Sequence, residues 1–265
     1  MINVQNLNKT FGDVKAVSDV TFDVRQGEIF AFLGPNGAGK TTTIQMLTTL
    51  LRPTSGTMAI DGLDPVTKPL EVRRRFGIVF QDPSLDQDLT AYENMDLHGV
   101  LYHVPRKVRH ERIELLLKLF ELWDRRTSLV KTFSGGMRRR LEIARGLLHT
   151  PKILFLDEPT LGLDPQSRNQ LWTHVKHLNE TEGVTVFLTT HYMDEADRVA
   201  HRVAIIDHGK IVAQGSSAEL KAQTGADSLE AAFLKLTGTT IRDEAATGVD
   251  QMRRMARMWG GGARR

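Results

Sequence analysis

The sequence has no cysteine among its 265 residues, which excludes disulfide bonds and thiolate metal sites and suits a reducing compartment. It also has no strong excess of charge, because 35 Lys and Arg residues and 32 Asp and Glu residues leave a net charge of +3. So small a balance does not indicate a basic surface, and we expect no nucleic-acid partner. With 40% hydrophobic residues, the chain can bury a full core as one large domain or as one domain with appendages.

Long apolar segments are missing as well. No apolar run approaches the roughly 20 residues of a membrane-spanning helix. The first residues, MINVQNLNKTFG, lack the basic start and apolar stretch of a secretory signal. We therefore expect any membrane role to depend on another chain.

Short apolar runs, each followed by a polar turn, recur along the chain. Runs without alternation, separated by helical patterns, are typical of strands buried on both faces of a mostly parallel sheet, so the core is predicted to be α/β. The runs are EIFAFLG at 28–34, FGIVFQ at 76–81, KILFLDE at 152–158, VTVFLTTH at 184–191 and RVAIID at 202–207.

Two other patterns stand beside this core. VTFDV at 20–24 alternates apolar and polar residues, which predicts a strand of an antiparallel flap that MAIDG at 58–62 joins. Between Gln81 and Ser134 the strand pattern stops, and Thr90 with Glu93 forms a predicted capping box, so this stretch is interpreted as a helical insertion. One helical face is predicted to carry Ile113, Leu116, Leu117, Phe120 and Trp123.

The end of the chain has a pattern of its own. After about residue 220, helical spacing returns, and the chain finishes in WGGGARR, which offers little to pack. We expect the last two dozen residues to be mobile. The residues at helical spacing are Leu229, Ala232, Phe233 and Leu236.

The segment GPNGAGKTT at 34–42 comes after a predicted strand and precedes the apolar stretch TIQMLTTLL. Glycines let the backbone point its N–H groups at phosphate oxygens, Lys40 supplies positive charge to the outer phosphates, and Thr41 offers a hydroxyl to Mg²⁺. An ordinary glycine-rich turn is disfavoured by the setting between strand and helix. The predicted nucleotide-binding residues here are Gly34, Pro35, Asn36, Gly37, Ala38, Gly39, Lys40, Thr41 and Thr42.

Two adjacent carboxylates end the apolar run ILFLDEP at 153–159. Asp157 can hold Mg²⁺, and Glu158 can orient a water for attack on a γ-phosphate. Taken alone, a strand ending in Asp-Glu is typical of a solvated turn, and the phosphate loop favours the catalytic interpretation.

Gln81 and His191 also come directly after predicted strands. Ligands of open α/β sheets bind at the edge where the strands have their carboxyl ends, so both residues are predicted to belong to the site.

A second anion site is indicated by TFSGGMRRRLEIARGLL at 132–148. Ser134 can cap a helix whose free N–H groups, together with Gly135 and Gly136, would accept an anion, although a simple helix cap has the same pattern. One face of that helix is predicted to hold Met137, Leu141, Ala144 and Leu148. We expect the three arginines at 138–140 to form a solvated face.

In combination, these motifs resemble the ATP-binding subunits of ABC transporters over about residues 1–220. The order GPNGAGKT, Gln81, FSGGM, ILFLDEP, GLD at 162–164 and His191 is that family's order of functional motifs. The resemblance implies an α/β P-loop NTPase of the ABC ATPase type, with a mostly parallel sheet, an antiparallel β subdomain and a helical subdomain at about 82–133. Residues 221–265 would form a C-terminal extension.

The resemblance also implies the partners and the site. Two such domains, expected to be two copies of this chain, would face each other head to tail, and each would close over ATP and Mg²⁺ held by the other. Separately encoded transmembrane permease subunits would hold them at the cytoplasmic face of the cell membrane. Thr41, Gln81 and Asp157 would serve Mg²⁺, whereas Glu158, His191 and Gln81 would act in catalysis. Ser134, Gly135 and Gly136 would act in trans.

Further roles are implied for single residues. Asp164 would belong to the loop through which the two sites sense each other, and Phe11 stands where the family often places an aromatic ring against adenine. Burial of Phe11 in the β flap is the alternative. Phe133 and Met137 depart from the usual LSGGQ pattern, but the serine and both glycines are kept, so we expect anion binding to persist.

The direction of transport is suggested by the C-terminal segment. SLEAAFLKLTG at 228–238 is similar to the trailing segment of drug-resistance-type bacterial exporters, although a plain amphipathic helix explains the same pattern. The alternatives to a transport motor are a soluble ABC ATPase acting on ribosomes or DNA, and a regulatory module that binds ATP without turnover. A P-loop kinase would leave the serine-glycine motif unexplained.

Overall fold

Residues 1–238 are described by a computed structural model. The strands are Ile2–Phe11 (β1), Val14–Val24 (β2), Ile29–Leu33 (β3), Ser55–Ile60 (β4), Phe76–Val79 (β5), Ile153–Asp157 (β6), Thr185–Thr190 (β7), Arg202–Asp207 (β8) and Lys210–Gly215 (β9). The helices are Lys40–Leu47 (α1), Pro69–Arg73 (α2), Ala91–Leu101 (α3), Arg106–Leu119 (α4), Gly135–Gly146 (α5), Pro165–Glu182 (α6), Met193–Val199 (α7), Ser217–Thr224 (α8) and Leu229–Thr237 (α9). None of these helices has the length and apolarity needed to cross a bilayer.

The larger sheet has the strand order β5-β6-β7-β3-β8-β9. Neighbouring strands from β5 to β8 run parallel, which confirms the α/β prediction for all five apolar runs. β9 pairs antiparallel with β8 at the edge and was not predicted. This topology brings the carboxyl ends of four adjacent strands, β5, β6, β7 and β3, to one edge of the sheet.

A smaller antiparallel sheet has the order β2-β1-β4 and confirms the predicted flap. In β2, the side chains of Val20, Phe22 and Val24 are buried and the residues between them are exposed, as the alternation predicted.

The two faces of the larger sheet belong to two hydrophobic clusters. One face packs on the flap and α1, where the rings of Phe22, Phe30, Phe32 and Phe187 lie 5.5 to 5.8 Å apart between centroids. The opposite face packs on the helices of the insertion, on α5 and on α6. Burial on both faces explains why the core strands lack alternation.

The helical insertion contains α3 and α4. The capping box is confirmed, because the Thr90 hydroxyl accepts the backbone N–H of Glu93 and the Glu93 carboxylate accepts that of Thr90.

The predicted apolar face of α4 is confirmed only in part. Ile113, Leu116 and Leu117 are buried as predicted. α4 ends at Leu119, however, and Trp123 lies in a separate 3₁₀ turn and is partly buried. The chain reverses at Glu121, whose φ of 57° cannot continue a right-handed helix.

The last described helix, α9, confirms the helical spacing predicted after about residue 220. Its Leu229 and Phe233 join the cluster that packs on the larger sheet, and the Ser228 hydroxyl caps its first turn. The predicted mobile end lies outside the described residues.

Candidate active site

Polar residues predicted for the site lie at the ends of the four adjacent parallel strands. Gly34 comes directly after β3, Gln81 lies two residues past β5, Asp157 ends β6, and His191 comes directly after β7. The strand order therefore gathers them at one edge, as the sequence predicted. In the described residues, ion pairs join Glu158 to Lys40 and to His191, and Asp157 lies close enough to interact electrostatically with Lys40 and Glu158.

The phosphate loop is shaped by its glycines. Gly37 and Gly39 have φ values of 77° and 107°, which disfavour any side chain. A Cβ on Gly34 would lie 2.4 Å from the carbonyl oxygen of Ile206, so that position has no room for one. The loop leads into α1, whose first N–H groups have no partners within the helix. Such a cradle of free N–H groups fits the phosphates of a nucleotide.

Lys40 is 5% exposed and lies at the centre of the site. Its ammonium donates hydrogen bonds to the carbonyl oxygens of Gly34 at 2.7 Å and Pro35 at 3.2 Å, and lies 3.6 Å from Oε1 of Glu158. Burial lowers the pKa of Lys40, and the charges of Glu158 and Asp157 oppose that shift. The cation is therefore held by the loop and by the two acids.

Asp157 is the more deeply buried acid, at 2% exposure. Its carboxylate accepts a hydrogen bond of 2.5 Å from the hydroxyl of Thr189, on the neighbouring strand β7. Burial raises the pKa of Asp157, although the Thr189 hydrogen bond lowers it in part.

Glu158 has an unusual backbone conformation. Its φ of 46° lies in the left-handed region, and its carboxylate lies near the Lys40 ammonium and 3.2 Å from Nδ1 of His191. Burial raises the pKa of Glu158, but the contacts with His191 and Lys40 outweigh burial and lower it overall. Glu158 is therefore ionised at neutral pH and can accept a proton.

Three other predicted residues, Thr41, Gln81 and Phe11, are accessible to solvent. Thr41 and Gln81 are exposed. Phe11 is 41% exposed at the end of β1, with the ammonium of Lys9 5.0 Å from its ring centroid. The alternative in which Phe11 is buried in the flap is therefore wrong.

The second predicted anion site lies at the start of α5. The Ser134 hydroxyl accepts the N–H of Met137, which confirms the predicted cap, and Ser134 and Gly135 are exposed. A Cβ on Gly136 would lie 2.6 Å from the Ser167 hydroxyl, so a side chain there would have to displace the Ser167 side chain. The ion pairs and hydrogen bonds of the described residues include none between Ser134 and Lys40 or Glu158.

Asp164 caps α6. Its carboxylate accepts the backbone N–H of Ser167 at 2.9 Å and the Ser167 hydroxyl at 2.7 Å, and these hydrogen bonds lower the pKa of Asp164. Ser167 therefore bonds Asp164 and lies close to Gly136 of the serine-glycine turn.

The prediction that the three arginines form a solvated face is wrong for Arg139. This residue is 7% exposed, and its guanidinium is surrounded by carbonyl oxygens beneath the two acids. The available signal was its spacing of four and seven residues from Ile143 and Gly146, which face the sheet. Thr189 was also missed, since a threonine within a buried strand carries no local sign of its partner.

A comparison with known protein families gives a match to the ABC transporter family over residues 17–161. The chain belongs to the ABC transporter family. It is an ATP-binding subunit of that family and an ATPase.

Relatives and solved structures agree with this assignment. The daunorubicin/doxorubicin resistance ATP-binding protein DrrA of Streptomyces peucetius is 46% identical over 92% of this chain and 73% of that protein. The Nod factor export ATP-binding protein I of Burkholderia lata is 38% identical over 92% of this chain and 79% of its own length. A dimeric post-hydrolysis ATP-binding cassette bound to ADP and Pi matches with a TM-score of 0.74 and 29% identity, over 82% of this chain and 98% of that one. These similarities do not support the ribosome- or DNA-acting alternative.

Proposed function

We propose that this ABC subunit is the motor of an exporter, in which two copies of the chain enclose two ATP molecules head to tail. The observation that carries the proposal is the convergence of Lys40, Glu158 and His191 beside a phosphate loop. An ionised carboxylate lies there between a buried cation and an imidazole. The names of DrrA and of the Nod factor export protein support export as the direction.

The nucleotide is bound through its phosphates and its base. The backbone N–H groups of the loop at 36–42 and the Lys40 ammonium receive the β- and γ-phosphates, where Lys40 exchanges its carbonyl partners for phosphate oxygens. The exposed ring of Phe11 provides a flat apolar surface for adenine.

The oxygen donors of this edge fit a Mg²⁺ ion. Mg²⁺ prefers oxygen ligands and is held in nucleotide sites by one or two protein groups together with phosphates. The Thr41 hydroxyl, the Gln81 amide oxygen and the Asp157 carboxylate are of this kind. When bound, Mg²⁺ would neutralise charge that develops on the phosphates.

Hydrolysis is assigned to Glu158 and His191. The Glu158 carboxylate accepts a hydrogen bond from a water molecule and takes its proton as the water oxygen attacks the γ-phosphorus. The imidazole of His191, which is 36% exposed in its side chain, contacts the γ-phosphate and orients Glu158 from the other side. The bond between the γ-phosphorus and the β,γ-bridging oxygen breaks, and phosphate and ADP result.

Each site is completed by the second copy. The exposed cap of α5, with Ser134, Gly135 and Gly136, presents free N–H groups without contacting the Lys40 site of its own chain. ATP therefore stabilises the closed pair over the open pair, and this difference in affinity drives the motion. The helical insertion at 82–133 transmits that motion to separate transmembrane permease subunits at the cytoplasmic face of the membrane.

This assignment also divides the chain. Residues 1–220 form the ATPase domain, and residues 221–265 form a C-terminal extension that begins within α8.

A phosphate-release assay tests the catalytic assignment. Glu158→Gln keeps the size of the side chain but removes the proton acceptor, so kcat should fall about 100-fold or more while ATP still binds. Glu180→Gln, an exposed residue on α6, is the matched control and should hydrolyse ATP at the parental rate. Parental turnover by Glu158→Gln would remove Glu158 from this role.

A further inference from the structure

We propose that Arg139 is a positioning residue that holds the backbone of Glu158 in its reactive conformation and ties that residue to the α5 helix. This inference rests on the proposed role of Glu158 in hydrolysis. The hydrogen bonds that Arg139 donates to Asp157 and Glu158 go to their main-chain carbonyls, so it acts through the backbone of the two acids.

All five N–H groups of the Arg139 guanidinium have an acceptor. A guanidinium is a planar group with five donors in fixed directions, so it can serve several carbonyl oxygens at once. Nε donates to the Pro159 carbonyl at 2.8 Å, Nη1 to the Phe80 carbonyl at 2.5 Å and to the Glu142 carboxylate at 2.9 Å, and Nη2 to the Asp157 and Glu158 carbonyls at 3.1 and 3.0 Å.

The Glu158 backbone is held from both sides. Its N–H donates to the carbonyl and the hydroxyl of Thr189, both at 3.1 Å, and its carbonyl accepts from Arg139. A residue other than glycine at a φ of 46° is strained and persists only where its neighbours fix it. Removing the Arg139 contact leaves the carbonyl half of this restraint to the weaker 3.2 Å bond from the Leu161 N–H.

Arg139 also connects parts of the site that the sequence keeps apart. It lies five residues after Ser134, about 7.5 Å along the same helix, and its Nη1 reaches Phe80, directly before Gln81. Farther along α5, Glu142 accepts the N–H of Ser84, and Arg145 donates to the Ser84 carbonyl. The helix that serves the partner's ATP through Ser134 is thus bonded to the catalytic and Gln81 segments of its own chain.

Burial explains why this arrangement calls for arginine. The charge of Arg139 is balanced by Glu142, which is 2% exposed. Lysine would preserve this ion pair, but its single ammonium cannot reach carbonyls spread around a planar fork. Replacing Arg139 by lysine therefore separates the effect of its charge from the effect of the guanidinium geometry.

The test compares Arg139→Lys with Arg140→Lys in the full chain. Arg140 is the neighbouring arginine, and its guanidinium pairs with the exposed carboxylate of Glu121. We expect Arg139→Lys to lower kcat by about tenfold to a hundredfold, with KM for ATP changed less than about twofold, because the phosphate loop keeps its contacts while the segment that holds Glu158 loses its restraint. Arg140→Lys should match the parent in both constants.

Amide hydrogen exchange gives a second readout that does not depend on turnover. Exchange of the backbone amides within 157–161, where every residue except Pro159 has one, should be faster in Arg139→Lys and unchanged in Arg140→Lys. The pair Arg139→Met with Glu142→Leu removes both members of the buried ion pair, so neither of these two residues is left without its counter-charge if the lysine variant folds poorly. That double variant should show the same loss of kcat and the same faster exchange.

Parental kcat in the folded variants, or unchanged exchange at residues 157–161, would overturn the proposal. The experiments distinguish failure of this proposal from failure of the proposed function. If Glu158→Gln kept full turnover, Glu158 would lose its catalytic role, whereas the exchange measurement would still show whether Arg139 restrains this segment.

Discussion

The hydroxyl of Thr189 donates a 2.5 Å hydrogen bond to the carboxylate of Asp157 and accepts the backbone N–H of the next residue, Glu158, at 3.1 Å. One buried hydroxyl on β7 therefore locates both acids at the end of β6. The hydroxyl orients Asp157 by bonding its carboxylate, and it orients Glu158 by bonding its backbone N–H.

Thr189→Val is predicted to impair the site while leaving the packing intact. Valine has the same shape but loses both hydrogen bonds, so the affinity for Mg²⁺ in the ATPase reaction should fall about tenfold or more. Titrating Mg²⁺ at saturating ATP measures this effect. Thr185→Val is the control, because it removes a buried hydroxyl that bonds Gly27 at the other end of the same strand. Equal Mg²⁺ dependence in the two variants would contradict the role of Thr189.

Phe11 provides a prediction about recognition of the base. Stacking of a base on an aromatic ring contributes about 1 to 3 kcal/mol, so Phe11→Ala should weaken ATP binding by about fivefold or more. Phe11→Trp should retain the affinity. Inorganic triphosphate, which has no base, should compete equally well for the parent and Phe11→Ala. If Phe11→Ala binds ATP as the parent does, adenine lies elsewhere.

The stability of the chain should depend on pH through two largely buried histidines, His98 on α3 and His149 shortly after α5. Burial lowers the pKa of His98 to about 3 and of His149 to about 4, and the His149 ring stacks on Tyr102 with 3.9 Å between centroids. In the unfolded chain both groups bind protons near pH 6.5. The unfolded state therefore takes up more protons below about pH 6.5, so stability is lost as pH falls from there to about 4 for His149 and to about 3 for His98.

Denaturant unfolding at several pH values measures this loss. From pH 7 to about 4.5, we expect His149 to account for on the order of 2 kcal/mol of the fall in the free energy of unfolding. His149→Gln should reduce the slope, since glutamine cannot take up a proton, whereas His177→Gln at an exposed position should leave it unchanged. An equal slope in the parent and His149→Gln would refute this explanation.

Much of the site could be predicted because its parts are local. The buried runs before Gly34, Gln81, Asp157 and His191 indicate parallel strands, and parallel strands bring the residues at their carboxyl ends to one edge of the sheet. The cap at Ser134 is likewise a property of a few adjacent residues.

The parts that the sequence did not reveal depend on partners from distant segments. Arg139 is buried because Phe80 and residues 157–159 present carbonyl oxygens to it; helical spacing could indicate its burial, but not these partners. The left-handed φ of Glu158 depends on Thr189, 31 residues away. For Phe11, only the packing of the flap could decide between exposure and burial.

The central claim is that ATP held by one chain is enclosed by the Ser134 turn of a second. Sedimentation of Glu158→Gln with Mg²⁺ and ATP, beside Glu158→Gln carrying Ser134→Arg, tests it most directly. The account predicts that the first protein forms dimers and that the second remains monomeric while still binding ATP. Monomers of Glu158→Gln at every concentration, or dimers of both proteins alike, would contradict it.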